Sequence, residues 1–196
     1  MNRGASLAFL REEKLVKTDL MRSLGVAVLL AAMPFGASGG TPTPPEGVKP
    51  SPEVMTYLQE GSRHYLKHDF EDAIGPYAKA FELEKQHRTL DPTLWRVLID
   101  NLGMSYGISG ALKRAKDTFE YGISKDKTYP MFYYNLACTY AEMNDLDGSI
   151  ENLRLAFKYQ DNMIVGEQMP DPGKDSSFRR FLTNDRFVGV LHEIGR

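Results

Sequence analysis

The chain has 196 residues, 42% hydrophobic and 26% charged, ordinary proportions for a soluble domain with a sizeable core. Its 24 basic and 26 acidic side chains give a net charge of −2, and beyond residue 40 the balance is 19 against 23, a net of −4. This mildly acidic character excludes the basic field that nucleic acid or an anionic membrane requires, and the single cysteine, Cys138, excludes a disulfide within the chain.

Residues 1–39 read as a signal-peptide region. Met21, Arg22 and Ser23 precede an apolar run of twelve, Leu24 to Phe35, and Gly36 to Gly40 follow it as small residues. The run is shorter than the ~20 residues a bilayer crossing needs. Ala37 and Gly39 suit the positions before a cleavage site, and a start at Met21 makes the charged leader compact. The expected location is periplasmic or secreted; the alternative is an uncleaved N-terminal helix that anchors the chain to a membrane. No cysteine directly follows the run, so a lipid anchor is unsupported. Residues 40–52, GTPTPPEGVKPSP, form a Pro/Gly-rich linker.

From Ser51 onward the apolar spacing is helical, and three segments align with one another. A small residue in the first helix of each falls at Gly61, Gly103 and Ala137. A second falls twelve positions later each time, at Ala73, Ala115 and Ser149. The register step is 34 residues between the second and third segments and 42 between the first and second, so about eight extra residues sit near Lys85 to Pro92.

The stretches GSRHYLKHDFEDAIGPYAKAF and YNLACTYAEMNDLDGSIENLRLAF resemble the tetratricopeptide repeat, whose unit is 34 residues. The resemblance implies an all-α solenoid of about three helical hairpins. They lie near 54–87, 96–129 and 130–163 within an array at 53–160, followed by a loop at 161–174 and capping helices over 175–196. Small residues let paired helices approach, aromatics fill the grooves between hairpins, and the last hairpin needs a cap. Phe178, Phe181, Leu182, Phe187, Val190, Leu191 and Ile194 supply one at helical spacing, with Asn184 or Asp185 placed to cap the final helix. Gly122 stands where the repeat usually has alanine.

No residue pattern points to catalysis. His64 and His68 stand four apart on the expected first helix, but no third or fourth ligand lies nearby in sequence, and no metal or other cofactor is expected. Cys138 has no sequence neighbour that would activate it, and the paired helical carboxylates read as solvated faces.

The resemblance also suggests a binding groove, because the first helices of such hairpins line the concave face. Counting from Val54, Arg96 and Pro130, the sixth positions are Gln59, Asn101 and Asn135, all carboxamides. In some members of the family, including the O-GlcNAc transferase superhelix, asparagines at this position grip peptide backbones. Met55, Leu58, Tyr65, Met104, Met131 and Tyr134 lie nearby and supply apolar contact, unless they pack against the C-terminal segment or the linker instead. A clamp for acidic C-terminal tails is not expected: its five positions fall on Leu58, Ser62, Asn101, Met131 and Asn135, and only Asn101 agrees. The expected function is non-catalytic binding of a protein or peptide segment in an envelope or secreted complex. Self-assembly through the convex face, or service as an accessory domain of a larger enzyme system, remains open.

Overall fold

A computed structural model describes residues 48–196; the expected leader and most of the linker lie outside the described residues. Six helices form three antiparallel hairpins: α1 (Pro52–Leu66) with α2 (Phe70–Gln86), α3 (Pro92–Ile108) with α4 (Leu112–Lys125), and α5 (Pro130–Glu142) with α6 (Leu146–Lys158). Two short 3-10 turns, Gln160–Asn162 and Ser176–Phe181, lead to α7 (Asp185–Glu193). Each helix packs on its partner and on the next hairpin, and there is no strand among the described residues.

Local chemistry sets the boundaries. Each first helix opens on proline, at Pro52, Pro92 and Pro130, where the missing N–H has no helical partner to lose. The turn inside each hairpin needs one left-handed residue, and it falls at the same register each time: His68 (φ 63°), Gly110 (φ 82°) and Asn144 (φ 61°). Each is seven residues after the small residue of the first helix. His68 therefore lies beyond the end of α1 and does not share a helical face with His64, contrary to the sequence expectation.

The small residues act by proximity. A Cβ at Gly61 would lie 2.5 Å from the ring of Tyr77, and one at Gly103 would lie 2.5 Å from Phe119. Gly122 is explained in the same way, since a methyl there would stand 2.9 Å from Phe132 and 3.0 Å from Ile99. The eight extra residues are shared out. Compared with the later step, three lengthen α2, one lengthens the connector at 87–91, and four start α3 a turn earlier. That extra turn adds Trp95, which stacks edge-on to Phe132 and carries the Arg88 guanidinium on its face. Its connector is tied down by buried Glu84, whose carboxylate accepts from Thr89 Oγ1 at 2.7 Å and from the amides of Thr89 and Leu90.

The core runs the length of the array. Leu98, Ile99 and Leu102 on α3 are all but fully buried, each contributing roughly 1.5–3 kcal/mol over exposure. At the C-terminal end Asn184 caps α7, accepting from the amides of Arg186 and Phe187. Phe187 and Val190 are buried, while Arg154 with Glu193, and Arg186 with Asp147, tie α7 to α6 at the surface.

Candidate functional site

The first helices α1, α3 and α5 present the face on which a groove is expected. The three carboxamides predicted to share one role occupy different environments. Gln59 is exposed. Asn101 is buried and donates through Nδ2 to the Tyr77 phenol at 3.0 Å, and that hydroxyl in turn donates to Ser62 Oγ at 3.1 Å. Asn135, also buried, donates through Nδ2 to Asp100 Oδ1 at 2.7 Å, and its own Oδ1 is buried without a donor. Two of the three amides thus spend their donors on neighbouring helices.

The apolar positions divide in a similar way. Leu58, Tyr65, Met104, Met131 and Tyr134 are buried, and only Met55 keeps part of its surface. Tyr65 meets Phe70 and Tyr77 edge-on, joining the two helices of the first hairpin. The five clamp positions carry no lysine or arginine, and both asparagines among them are engaged within the array.

The third repeat is covered by the chain's own residues 159–181, here called the strap. Asp175, buried, caps the second 3-10 turn through Ser177 N and accepts from the Tyr134 phenol at 3.0 Å. Cys138 Sγ lies 3.7 Å from the same carboxylate oxygen, and the Phe178 ring meets Tyr134 edge-on. Burial and the Asp175 charge raise the Cys138 thiol well above its ordinary range, so it is an inert thiol. Further back along the strap, Glu167 accepts from the Tyr129 phenol at 2.8 Å and from Ile164 N at 2.9 Å.

Two further carboxylates, Asp100 on α3 and Glu167 on the strap, are shifted by their surroundings. Asp100 is half-buried, and removal from water, followed by the charge of Glu167, pushes its carboxyl up to about 7; the Asn135 hydrogen bond opposes the shift. Burial also raises Glu167, against the opposing effects of Tyr129, Ile164 N and the Arg96 charge. Neither acid was singled out from sequence, although Asp100 interrupts the apolar run LWRVLIDNLG and that interruption was the available signal. Among the described residues no group of three His, Cys, Asp or Glu could hold a metal ion, and no helix is long and apolar enough to cross a membrane.

Neither a protein-family model nor a curated protein sequence matches this chain. Among solved structures it is similar to the type III secretion translocator chaperone SycD of Yersinia enterocolitica. The TM-score is 0.51 and the identity 18%, covering 74% of this chain and 92% of that one. It is also similar to the TPR domain of Sgt2 from Aspergillus fumigatus, with a TM-score of 0.52 and 19% identity over 76% of this chain and 87% of that one. At these identities the likeness establishes the fold, which is an all-α array of tetratricopeptide-type hairpins.

Proposed function

We propose that this chain is a non-catalytic protein-interaction scaffold that holds an extended segment of a partner protein against α1 and α3. The observation that carries this reading is the uneven cover of the first-helix face. The strap covers α5, whereas Gln59 and Leu66 are exposed and Met55, Ser62, Val97 and Asp100 keep part of their surface. An interaction role is also consistent with the two structural neighbours, a chaperone for secretion translocators and a TPR domain. The expected leader would place such a scaffold in an envelope or secreted complex. N-terminal sequencing of the exported product tests that placement.

The strap itself favours a second reading, assembly through the opposite face, because it leaves less groove to fill. On the outer side Phe81 and Tyr121 pack edge-on at 5.0 Å, with Lys85 and Lys125 over the Tyr121 ring. A photocrosslinking residue at Gln59, compared with one at Glu82, separates the two. Partner adducts from position 59 alone support the groove. Adducts from position 82 alone transfer the function to the outer face. Both side chains are exposed, so neither replacement disturbs the core.

A further inference from the structure

The outer side of the first two hairpins gathers positive charge on aromatic rings. Lys85 Nζ lies 5.2 Å from the centre of the Phe81 ring and 5.9 Å from that of Tyr121, and Lys125 Nζ lies 5.5 Å from Tyr121. Arg88 sits on Trp95 at 4.2 Å, and Trp95 in turn is 6.4 Å from Tyr121. Cations from α2, the connector at 87–91 and α4 therefore share one aromatic cluster. A ring under an exposed cation is worth about 0.5–1 kcal/mol, enough to favour one placement of a long, flexible stem. The two lysines are held at the surface, since Lys125 is exposed and the Lys85 side chain is 40% exposed.

The chain's own acids leave most of this charge unanswered. Glu82 pairs with Lys85 at 3.2 Å, but it is 59% exposed, and an open pair of this kind contributes at most about 1 kcal/mol. Glu84 is buried and spends its oxygens on Thr89 and the Leu90 amide. Asp126, also buried, accepts from Arg96 at 2.7 Å. Among the described residues no carboxylate forms an ion pair with Arg88 or Lys125. This patch stands out on a chain whose residues beyond 40 carry a net charge of −4.

The kind of anion that fits follows from the donors. Nucleic acid or an anionic membrane would meet the net negative charge of the rest of the array. A phosphate group is best held by a guanidinium fork, but Nε and Nη2 of Arg88 are buried, so Arg88 supplies charge and no fork. The two lysines are compact point charges on mobile stems, suited to carboxylates that arrive from different directions. Phe81 and Tyr121 are half-buried and leave apolar surface between them for the partner's side-chain stems.

We propose that Lys85, Lys125 and the exposed parts of Phe81 and Tyr121 form a docking site on the outer face of α2 and α4 for an acidic segment of a partner protein. The site is separate from the groove along α1 and α3 and does not depend on that groove being used. Arg88, seated behind it on Trp95, adds to the attraction without touching the segment.

The test is a titration of the full chain, isotopically labelled, with two acetylated octapeptide amides, one alternating glutamate with alanine and the other glutamine with alanine. The glutamate peptide is expected to move the resonances of Phe81, Lys85, Tyr121 and Lys125, and to lose affinity as salt is raised. The glutamine peptide is expected to bind at least ~10-fold more weakly, as is the glutamate peptide to the Lys85→Gln, Lys125→Gln double variant. Both replacements lie at the surface, and an unchanged thermal melt confirms the fold. Equal binding of the two peptides, or of the glutamate peptide to parent and variant, overturns the proposal. So does the absence of any shift on α2 and α4, or shifts confined to α1 and α3; the last result leaves the groove reading standing. Sedimentation of the parent as a dimer that the double variant abolishes reassigns the patch to a second copy of this chain and also overturns it.

Discussion

Asp175 and Tyr134 are joined by a 3.0 Å hydrogen bond that spans 41 residues of sequence and fixes the strap to the inner face of the third repeat. The same carboxylate takes Ser177 N and lies near the Cys138 thiol, so one buried acid organises both sides of the contact. Replacing it by alanine removes a charged acceptor and strands the Tyr134 hydroxyl. Asp175→Ala should cost about 2–4 kcal/mol in chemical denaturation, and Tyr134→Phe about 1 kcal/mol. A loss below measurement error for Asp175→Ala would show that the strap is not anchored there.

Cys138 offers a direct view of strap opening. Its thiol is buried beneath Asp175 and its ionisation is suppressed by burial, so a thiol reagent should label the native chain slowly and completely only after unfolding. Loosening the strap by Phe178→Ala should speed native-state labelling by at least ~10-fold while the helical circular dichroism signal persists. Labelling of the parent chain as fast as a free thiol would refute the covered geometry.

Close approach inside the hairpins makes a different forecast. Gly61→Ala and Gly103→Ala each drive a methyl into an aromatic ring, Tyr77 or Phe119, and should destabilise by about 1–3 kcal/mol despite the better helix propensity of alanine. Gly189→Ala on α7 meets nothing within 4 Å and should be neutral or slightly stabilising. Thermal melts of the three variants decide the point.

Acid and neutral conditions should also differ. The Asp100 carboxyl is pushed up to about 7 from 3.8, so the native chain holds its proton through a range where the unfolded chain has released it. More protons bound in the native state means that stability falls as pH rises, here between about 4 and 7, and this contribution levels off above that window. Glu167 is raised as well and adds in the same direction. The Asp100→Asn variant should flatten the decline in urea midpoint across this window; an unchanged slope would mean that Asp100 titrates normally.

Much of the array could be read directly from the chain, because hairpin packing leaves a local mark. Gly61, Gly103 and Ala137 recur with a partner twelve residues on, and helices can pack this closely only where the side chain is small. The register step points to inserted residues near Lys85 to Pro92, whereas half of them extend the start of α3. The groove was harder to read. Register makes Gln59, Asn101 and Asn135 equivalent, yet their roles are set by Tyr77 and Asp100, neighbours in space that differ from repeat to repeat. The strap left little trace for a related reason. Extended, proline-containing backbone has no periodicity, so 161–174 reads only as a loop, and nothing in sequence links Glu167 to Tyr129 or Asp175 to Tyr134.

The order in which the chain is made gives the strap a further significance. The side chains it covers, Tyr134 and Cys138, are synthesised some forty residues before Asp175 and Phe178. Until those later residues emerge, a nascent third repeat bares an aromatic ring and a thiol to whatever surrounds it. A message truncated after residue 160 would make that exposure permanent, yielding a chain with complete hairpins and an adhesive inner face.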